Sequence, residues 1–174
     1  MINNPQISGR IMALVGTLII LFVSGFLCLS KFEKLVIYNP TSSVEKGFYI
    51  YAGQDHAKKN LILFLTPQVV KDYTQDNYSK SPLKHFLKPV LAMAGDHVCY
   101  QDGRVFLNGD LIAQVQKYDS AGKPLPVWKE CRDLKKNEYF VFSDRVSNSL
   151  DSRYYGPILK ENIVGVFKPI FGEG

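Results

Sequence analysis

The 174-residue sequence predicts a mostly β domain that follows one N-terminal transmembrane helix. Residues Ile11–Ser30 form an uncharged apolar run about as long as a bilayer-spanning helix requires. Across the whole chain, 11 Phe and 10 Tyr favour strands, and after this run short apolar stretches alternate with turn signals. The length accommodates one anchor and one folded domain of ordinary size, so no second domain is predicted.

A cleavable signal peptide is the alternative interpretation of the apolar run. Ile11–Ser30 is longer than the usual apolar region of a signal peptide, and the bulky or charged residues Phe32, Glu33 and Lys34 follow it where small residues mark a cleavage site. We therefore expect an uncleaved anchor. It divides the chain into a short cytoplasmic N-terminus (1–10), a transmembrane anchor (11–30) and an extracytoplasmic domain (31–174).

The strands predicted after the anchor are short and separated by turns. They are Leu35–Tyr38, Gly47–Tyr51, Leu61–Leu65, Phe86–Met93, His97–Tyr100, Arg104–Leu107, Glu138–Phe142 and Ile163–Ile170. Asn108-Gly109 is a hairpin signal, and Asp119–Trp128 is predicted to be a loop from its Gly and Pro content. The stretch 71–85 has too little periodicity to assign and is either a short helix or a surface excursion. Ser143–Tyr155 is expected to be polar and irregular.

Charge and cysteine usage narrow the possible functions. The formal net charge is +5, but the basic residues are scattered from Arg10 to Lys168, so no nucleic-acid site is predicted. Cys28 lies inside the apolar run. The remaining two cysteines, Cys99 and Cys131, are compatible with one disulfide in an oxidising compartment or with two independent thiols.

Lys88 is the most unusual residue of the body, because it interrupts the apolar run 86–91. Burial disfavours a charged amine, and a lysine whose pKa is lowered by about 3 units can act as a base at neutral pH. The alternative places Lys88 on the solvent side of an edge strand, beside Pro89.

Nucleophilic catalysis by serine needs a base, and the histidines are poorly placed to supply it. His56, His85 and His97 stand in polar or turn-like sequence, where surface or turn positions are expected rather than membership of a catalytic triad. No linear metal motif such as HExxH or CxxC is present, so no metal is predicted. A lysine-activated serine is the remaining option.

Three segments resemble motifs of the type I signal peptidase superfamily of Ser-Lys serine peptidases. Residues 86–98, FLKPVLAMAGDHV, are similar to the family pattern YIKRAVGLPGDKV, which places the family's general base at Lys88. Residues 143–156, SDRVSNSLDSRYYG, resemble the pattern GDNRDNSxDSRYWG. Residues 39–49 are most similar to the pattern Asn-x-Thr-x-Ser-Met-Pro-x-Gly-x-Tyr of the conjugative-transfer, TraF-type branch.

Residues 39–49, called the serine box below, resemble the branch pattern in a way that implies Ser43 as the nucleophile rather than its neighbour Ser42. Glu45 stands where the branch has proline. By the same resemblance, the Ser43 backbone N–H and the Thr41 hydroxyl form the oxyanion hole. Ser149 is the family residue that orients the amine of Lys88.

The resemblance also implies supporting residues. Asp151 and Arg153 are expected to form a structural pair that shapes the loop near the site, the alternative being an ordinary exposed ion pair. The TraF-type branch carries a cysteine after Gly-Asp, then a Gly-x-Pro-Leu-Pro-x-Trp segment and a second cysteine. Cys99, residues 122–128 and Cys131 match this order, which implies a Cys99–Cys131 disulfide.

The family implies a signal peptidase-like β domain of short antiparallel strands and a serine endopeptidase without a cofactor. Its place is the bacterial inner membrane, with a single pass and the catalytic domain in the periplasm. The expected partners are the lipid bilayer, conjugation or secretion components, and an exported pre-protein or pilin precursor with small residues before the cleavage site. The alternatives are a general secretory signal peptidase I and a catalytically inactive membrane-tethered binding module; a soluble self-cleaving repressor is disfavoured by Ile11–Ser30.

Overall fold

A computed structural model describes residues 12, 14–24, 35–75 and 84–171. By its internal contacts the chain divides after Ile37 into two units. In the first unit, residues 14–24 are helical (α1), and their large apolar side chains are exposed. None of the helices in the described ranges combines the length and the hydropathy of a bilayer span. The anchor predicted at Ile11–Ser30 falls partly outside the described residues and stays a prediction.

The strands and helices that follow α1 are short. In chain order they are β1 (Val36–Asn39), β2 (Gly47–Gly53), β3 (Leu61–Leu65), α2 (Gln68–Gln75), β4 (His85–Met93), β5 (His97–Gln101), β6 (Arg104–Leu107), β7 (Asp110–Gln114), β8 (Cys131–Asp133), β9 (Glu138–Val141), α3 (Ser152–Tyr155), β10 (Ile158–Leu159), a 3-10 turn (Lys160–Asn162) and β11 (Ile163–Pro169).

These strands form two sheets. The larger sheet has the order β1-β2-β11-β3-β4-β9-β10, and the smaller one has the order β7-β6-β5-β8. In the larger sheet, each strand from β2 across to β10 is antiparallel to its neighbour. All neighbouring strands of the smaller sheet are also antiparallel. The prediction of a mostly β domain of short antiparallel strands is therefore confirmed.

Strand β4 connects the two hydrophobic clusters of the body. Side chains alternate between the faces of a strand, and on β4 the row that includes Val90 and Ala92 points into the core. Val90 packs with residues of the larger sheet such as Phe64, while Ala92 packs with residues of the smaller sheet such as Val98. Lys88 belongs to the same row, so the period of the strand alone directs its side chain inward.

Several sequence predictions can be compared with these bounds. β3 and β6 match the predicted runs, and at the predicted hairpin Asn108 and Gly109 have φ of 52° and 95°, as a type I′ turn requires. The expectation that Ser143–Tyr155 is irregular throughout was wrong, because residues 152–155 form α3. Asp151 caps this single turn by accepting the Arg153 N–H.

Candidate active site

The serine box is held in shape by Asn39, the last residue of β1. Its amide nitrogen donates to the carbonyl oxygens of Thr41, Val44 and Glu45 at 3.0–3.2 Å. Its Oδ1 accepts the Thr41 backbone N–H at 3.2 Å and the Thr41 hydroxyl at 2.7 Å. A buried amide that ties both ends of a five-residue turn fixes the conformation of the turn, and Ser43 is buried within it.

The Thr41 hydroxyl lies 3.4 Å from Ser43 Oγ. A hydroxyl has a single proton to donate, and that of Thr41 is used on Asn39, so Ser43 is the donor of this contact. For Thr41 to serve an oxyanion, its O–H must turn away from Asn39 toward the substrate. The Thr41 backbone N–H bond to Asn39 can remain in place during that rotation.

Lys88 is 4% exposed and lies in the middle of the sheet, because β4 is flanked by β3 and β9. The alternative of a solvent-facing lysine on an edge strand is therefore wrong. Its Nζ donates to Ser149 Oγ at 2.9 Å. Burial lowers the pKa of Lys88 from its usual 10.5 to about 8, while nearby Asp151 and Arg153 act in opposite directions on it.

The segment from Ser143 to Arg153 forms the floor around this amine. Asp151 is completely buried and accepts from Arg153 Nε at 2.7 Å and from a terminal nitrogen of Arg153 at 2.9 Å. The same terminal nitrogen donates to the Ser149 carbonyl at 3.0 Å. The guanidinium thus joins the capped turn of α3 to the backbone of the residue whose hydroxyl contacts Lys88.

Ser143 connects the serine box to the lysine strand. Val90 pairs with Val141, and the Phe142 N–H donates to the Pro89 carbonyl at 3.2 Å, so continuing this antiparallel register places Ser143 opposite Lys88. The Ser143 hydroxyl donates to the Ser43 carbonyl, and its backbone N–H lies 3.4 Å from Asp151 Oδ2. Ser43 is therefore attached directly to the residue that lies opposite Lys88.

The two proposed reacting atoms are not themselves bonded. Within the described part of the chain, no hydrogen bond joins Ser43 Oγ to Lys88 Nζ, and each contacts a different hydroxyl. A neutral amine that donates one proton to Ser149 keeps its lone pair available for another partner. The arrangement can therefore remove a proton from a serine brought against that lone pair.

The predicted disulfide is present, and the loop that precedes Cys131 packs against α3. Cys99 and Cys131 face each other across β5 and β8, and a disulfide joins them. The Trp128 N–H donates to the Arg153 carbonyl at 3.1 Å. Gly156, at φ 78°, lies so close to Trp128 that an added Cβ would be 2.6 Å from the indole ring. The loop ending at Trp128 is thereby packed against the turn that follows α3.

Sequence reasoning missed two contributors and misplaced one residue. Asn39 and Ser143 belonged to the matched boxes but had no assigned role, since most of their partners are backbone groups that no side-chain pattern reveals. His56 was expected at the surface or in a turn; it lies in a loop but is buried, 3.0 Å from Gln54 Oε1. His85 and His97 are exposed on strands.

Known proteins are similar to this chain over most of its length. A family model described as signal peptidase, peptidase S26, matches residues 9–171. A plasmid transfer protein TraF of Escherichia coli is 30% identical over 142 residues, covering 76% of this chain and 80% of that protein. Signal peptidase I V of Bacillus subtilis is 33% identical over 93 residues, covering 48% of this chain and 55% of that protein.

Among solved structures, a signal peptidase I from Enterococcus faecalis matches with 19% identity and a TM-score of 0.40. The match covers 66% of this chain and 98% of that one. The family assignment depends on the sequence matches, and the family model extends over the serine box, the lysine strand and the segment 143–156. The chain belongs to the signal peptidase family, peptidase S26.

Proposed function

We propose that this chain is a Ser-Lys endopeptidase that cleaves exported precursor proteins. One observation carries the proposal: the buried amine of Lys88, with a pKa of about 8, is bonded to Ser149 in the same loop that attaches to the backbone of Ser43 through Ser143. A lysine buried for stability alone would be unfavourable, since burial disfavours its charge. Its position beside a fixed serine supports a catalytic use.

Ser43 is proposed as the nucleophile and Ser42 as a bystander. Ser42 is exposed, whereas Ser43 is buried in the turn organised by Asn39 and is anchored through its carbonyl to Ser143. A nucleophile gains from such anchoring, because the rate depends on holding the attacking oxygen in a fixed direction. An exposed hydroxyl has no comparable restraint.

In the proposed reaction, neutral Lys88 accepts the proton of Ser43 as its Oγ attacks the scissile carbonyl carbon. The resulting oxyanion is met by the Ser43 N–H and by the rotated Thr41 hydroxyl. The protonated amine then gives its proton to the leaving nitrogen, and an acyl-enzyme remains on Ser43. Attack by water on this ester, with Lys88 again as base, releases the product and restores the serine.

The decisive experiment compares Ser43→Ala, Lys88→Arg and Ser42→Ala in cleavage of a signal-peptide or pilin precursor by the full-length, detergent-solubilised chain. We expect the first two to be inactive and Ser42→Ala to keep most of its activity. Arginine keeps a positive charge but is not deprotonated in proteins, so it tests the base directly. Because the dyad acts as a unit, the Ser43→Ala, Lys88→Ala double variant should be no worse than either single change.

The parent enzyme should gain activity as pH rises through about 8, where Lys88 loses its proton. Substantial cleavage by Lys88→Arg would exclude the Ser-Lys mechanism. Loss of activity in Ser42→Ala with retention in Ser43→Ala would identify the other serine as the nucleophile. A parent that binds precursors but never cleaves them would indicate the inactive membrane-tethered module.

The substrate and the location are proposed on coarser grounds. The relative named a plasmid transfer protein supports a role in conjugative transfer, with a pilin precursor as the substrate and the periplasmic side of the inner membrane as the site. The exposed apolar side chains of α1 support a single membrane anchor over Ile11–Ser30. Protease added to intact spheroplasts should then remove the body; a fully protected body would reverse this topology.

A further inference from the structure

The face shared by β5 and β8 carries four residues with metal-binding or metal-supporting chemistry. Cys99 pairs directly with Cys131, and His97 pairs with Asp133 two residues further along. Residues two apart on a strand point to the same face, so all four side chains lie together on one surface of the smaller sheet. Sequence spacing gives no hint of this group, because the register of the sheet assembles it from two distant segments.

The donor atoms are close enough to share one ion. Among the described residues, one ligand atom from each of His97, Cys99 and Cys131 lies within 4.8 Å of the other two. The distance from His97 Nε2 to Cys131 Sγ is 3.6 Å. In a tetrahedral zinc site with the usual Zn–N and Zn–S bond lengths, neighbouring nitrogen and sulfur ligands are also about 3.6 Å apart.

The imidazole is oriented as a ligand. His97 Nδ1 lies 2.7 Å from Asp133 Oδ1, so the carboxylate accepts the Nδ1 proton and leaves the Nε2 lone pair facing Cys131. A carboxylate behind a histidine in this way is the usual outer support of a zinc ligand. The ring and the carboxylate are both exposed, at 48% and 76%, so an ion can reach the site from solvent.

We propose that the reduced form of this protein binds one zinc ion through His97 Nε2, Cys99 Sγ and Cys131 Sγ, with water as the fourth ligand. Two molecules of a thiol reductant supply two electrons and two protons to the disulfide and leave as their own disulfide. Zinc then replaces the two thiol protons, which pass to solvent, and the thiolates bind the ion. The ion joins β5 to β8 in the reduced chain, as the disulfide does in the oxidised one.

The test uses the full-length chain with Cys28→Ser, which removes the third thiol. Reduced and oxidised samples are loaded with zinc under anaerobic conditions, desalted and analysed for metal. We expect one zinc per reduced chain and none per oxidised chain. Titration with Co²⁺ should give thiolate-to-metal charge-transfer bands and the visible bands of a tetrahedral site in the reduced sample only.

Variants separate the ligands from their support. His97→Ala should lose stoichiometric zinc, and Asp133→Asn should weaken zinc binding by about 10- to 100-fold. His85→Ala is the matched control, since His85 is also exposed on a strand but outside the group. Zinc should raise the melting temperature of the reduced parent and leave that of reduced His97→Ala unchanged.

Three outcomes would overturn the proposal. Equal zinc content in reduced and oxidised chains would show that the cysteines are not ligands. Unchanged zinc affinity in His97→Ala would show that the imidazole is not a ligand. A reduced, folded parent without bound zinc would show that the strands do not hold the thiolates at the required separation. Peptidase activity is not needed to read any of these results.

Discussion

Two carboxylates of this protein contact a cationic or imidazole partner at the same distance, yet their surroundings differ in every other respect. Asp151 lies 2.7 Å from Arg153, and Asp133 lies 2.7 Å from His97. Asp151 is fully buried and accepts four hydrogen bonds, from Arg153 and from the Ser143 backbone. Asp133 stands at the edge of an exposed sheet. Burial and the number of bonds, not the distance, decide what each pair contributes.

The largest effect should come from breaking the buried pair. Asp151→Ala leaves the Arg153 guanidinium buried without its partner and removes the cap of α3, so we expect a loss of about 3–5 kcal/mol in the free energy of unfolding. Asp133→Ala, the matched exposed change, should stay within about 0.5 kcal/mol. Urea denaturation of both variants measures the difference. Similar losses in the two variants would contradict the comparison.

The next effect concerns Lys88 and has the opposite sign. Holding the pKa at about 8 rather than 10.5 corresponds to a destabilisation of roughly 3 kcal/mol when the lysine is protonated. Lys88→Met removes this cost but also the bond to Ser149, worth about 1 kcal/mol. At pH 7 the variant should therefore be more stable than the parent by about 2 kcal/mol.

The pH dependence gives the control for this change. Below pH 8 both folded and unfolded chains are protonated at Lys88, and the full cost is present. Between pH 8 and 10.5 only the unfolded chain binds the proton, so the parent should gain stability relative to Lys88→Met as pH rises through this window. The measurement is the difference between the denaturation midpoints of the two proteins at each pH. A difference that stays constant from pH 7 to 10.5 would contradict a lowered pKa of Lys88.

The smallest effect concerns the hydrogen bond that joins Ser143 to the serine box. Ser143→Ala removes the hydroxyl that donates to the Ser43 carbonyl, and the loss of one hydrogen bond predicts a decrease of about 10-fold in kcat with little change in KM. Ser143→Thr keeps a hydroxyl and should recover most of the activity. The pH midpoint should not move, because Ser143 does not bond to Lys88 Nζ, whereas Ser149→Ala should shift it. A moved midpoint in Ser143→Ala would assign that serine to the amine instead.

The strands and turns of the fold were not equally predictable from sequence. Local patterns sufficed for β3 and for the Asn108-Gly109 hairpin, since a short continuous apolar run and left-handed turn residues act over a few positions. The three-residue strand β8 and the single turn of α3 are too short to produce a period. β8 is defined by its distant partner β5, and the turn of α3 is defined by the cap from Asp151, the residue that immediately precedes it.

The candidate site follows the same rule. Lys88 could be singled out because a charge in an apolar run is locally anomalous, and resemblance connected it with Ser43 and Ser149. The bond from Ser143 to Ser43 spans 100 positions, and it involves a carbonyl that every residue possesses. The group formed by His97, Cys99 and Cys131 depends on the register of β5 against β8, which no spacing along one segment encodes.

The position of β11 has a consequence for when a newly made chain can become active. β2, which follows the Ser43 turn, and β3, which leads to the Lys88 strand, are joined in the sheet only through β11. A nascent chain that has not yet reached residue 163 contains Ser43 and Lys88. It lacks β11, the strand that lies between β2 and β3 in the larger sheet. Pairings over such sequence separations also form late in folding. For the proposed peptidase, the order of synthesis and the sheet order together delay proteolytic competence until the body is essentially complete.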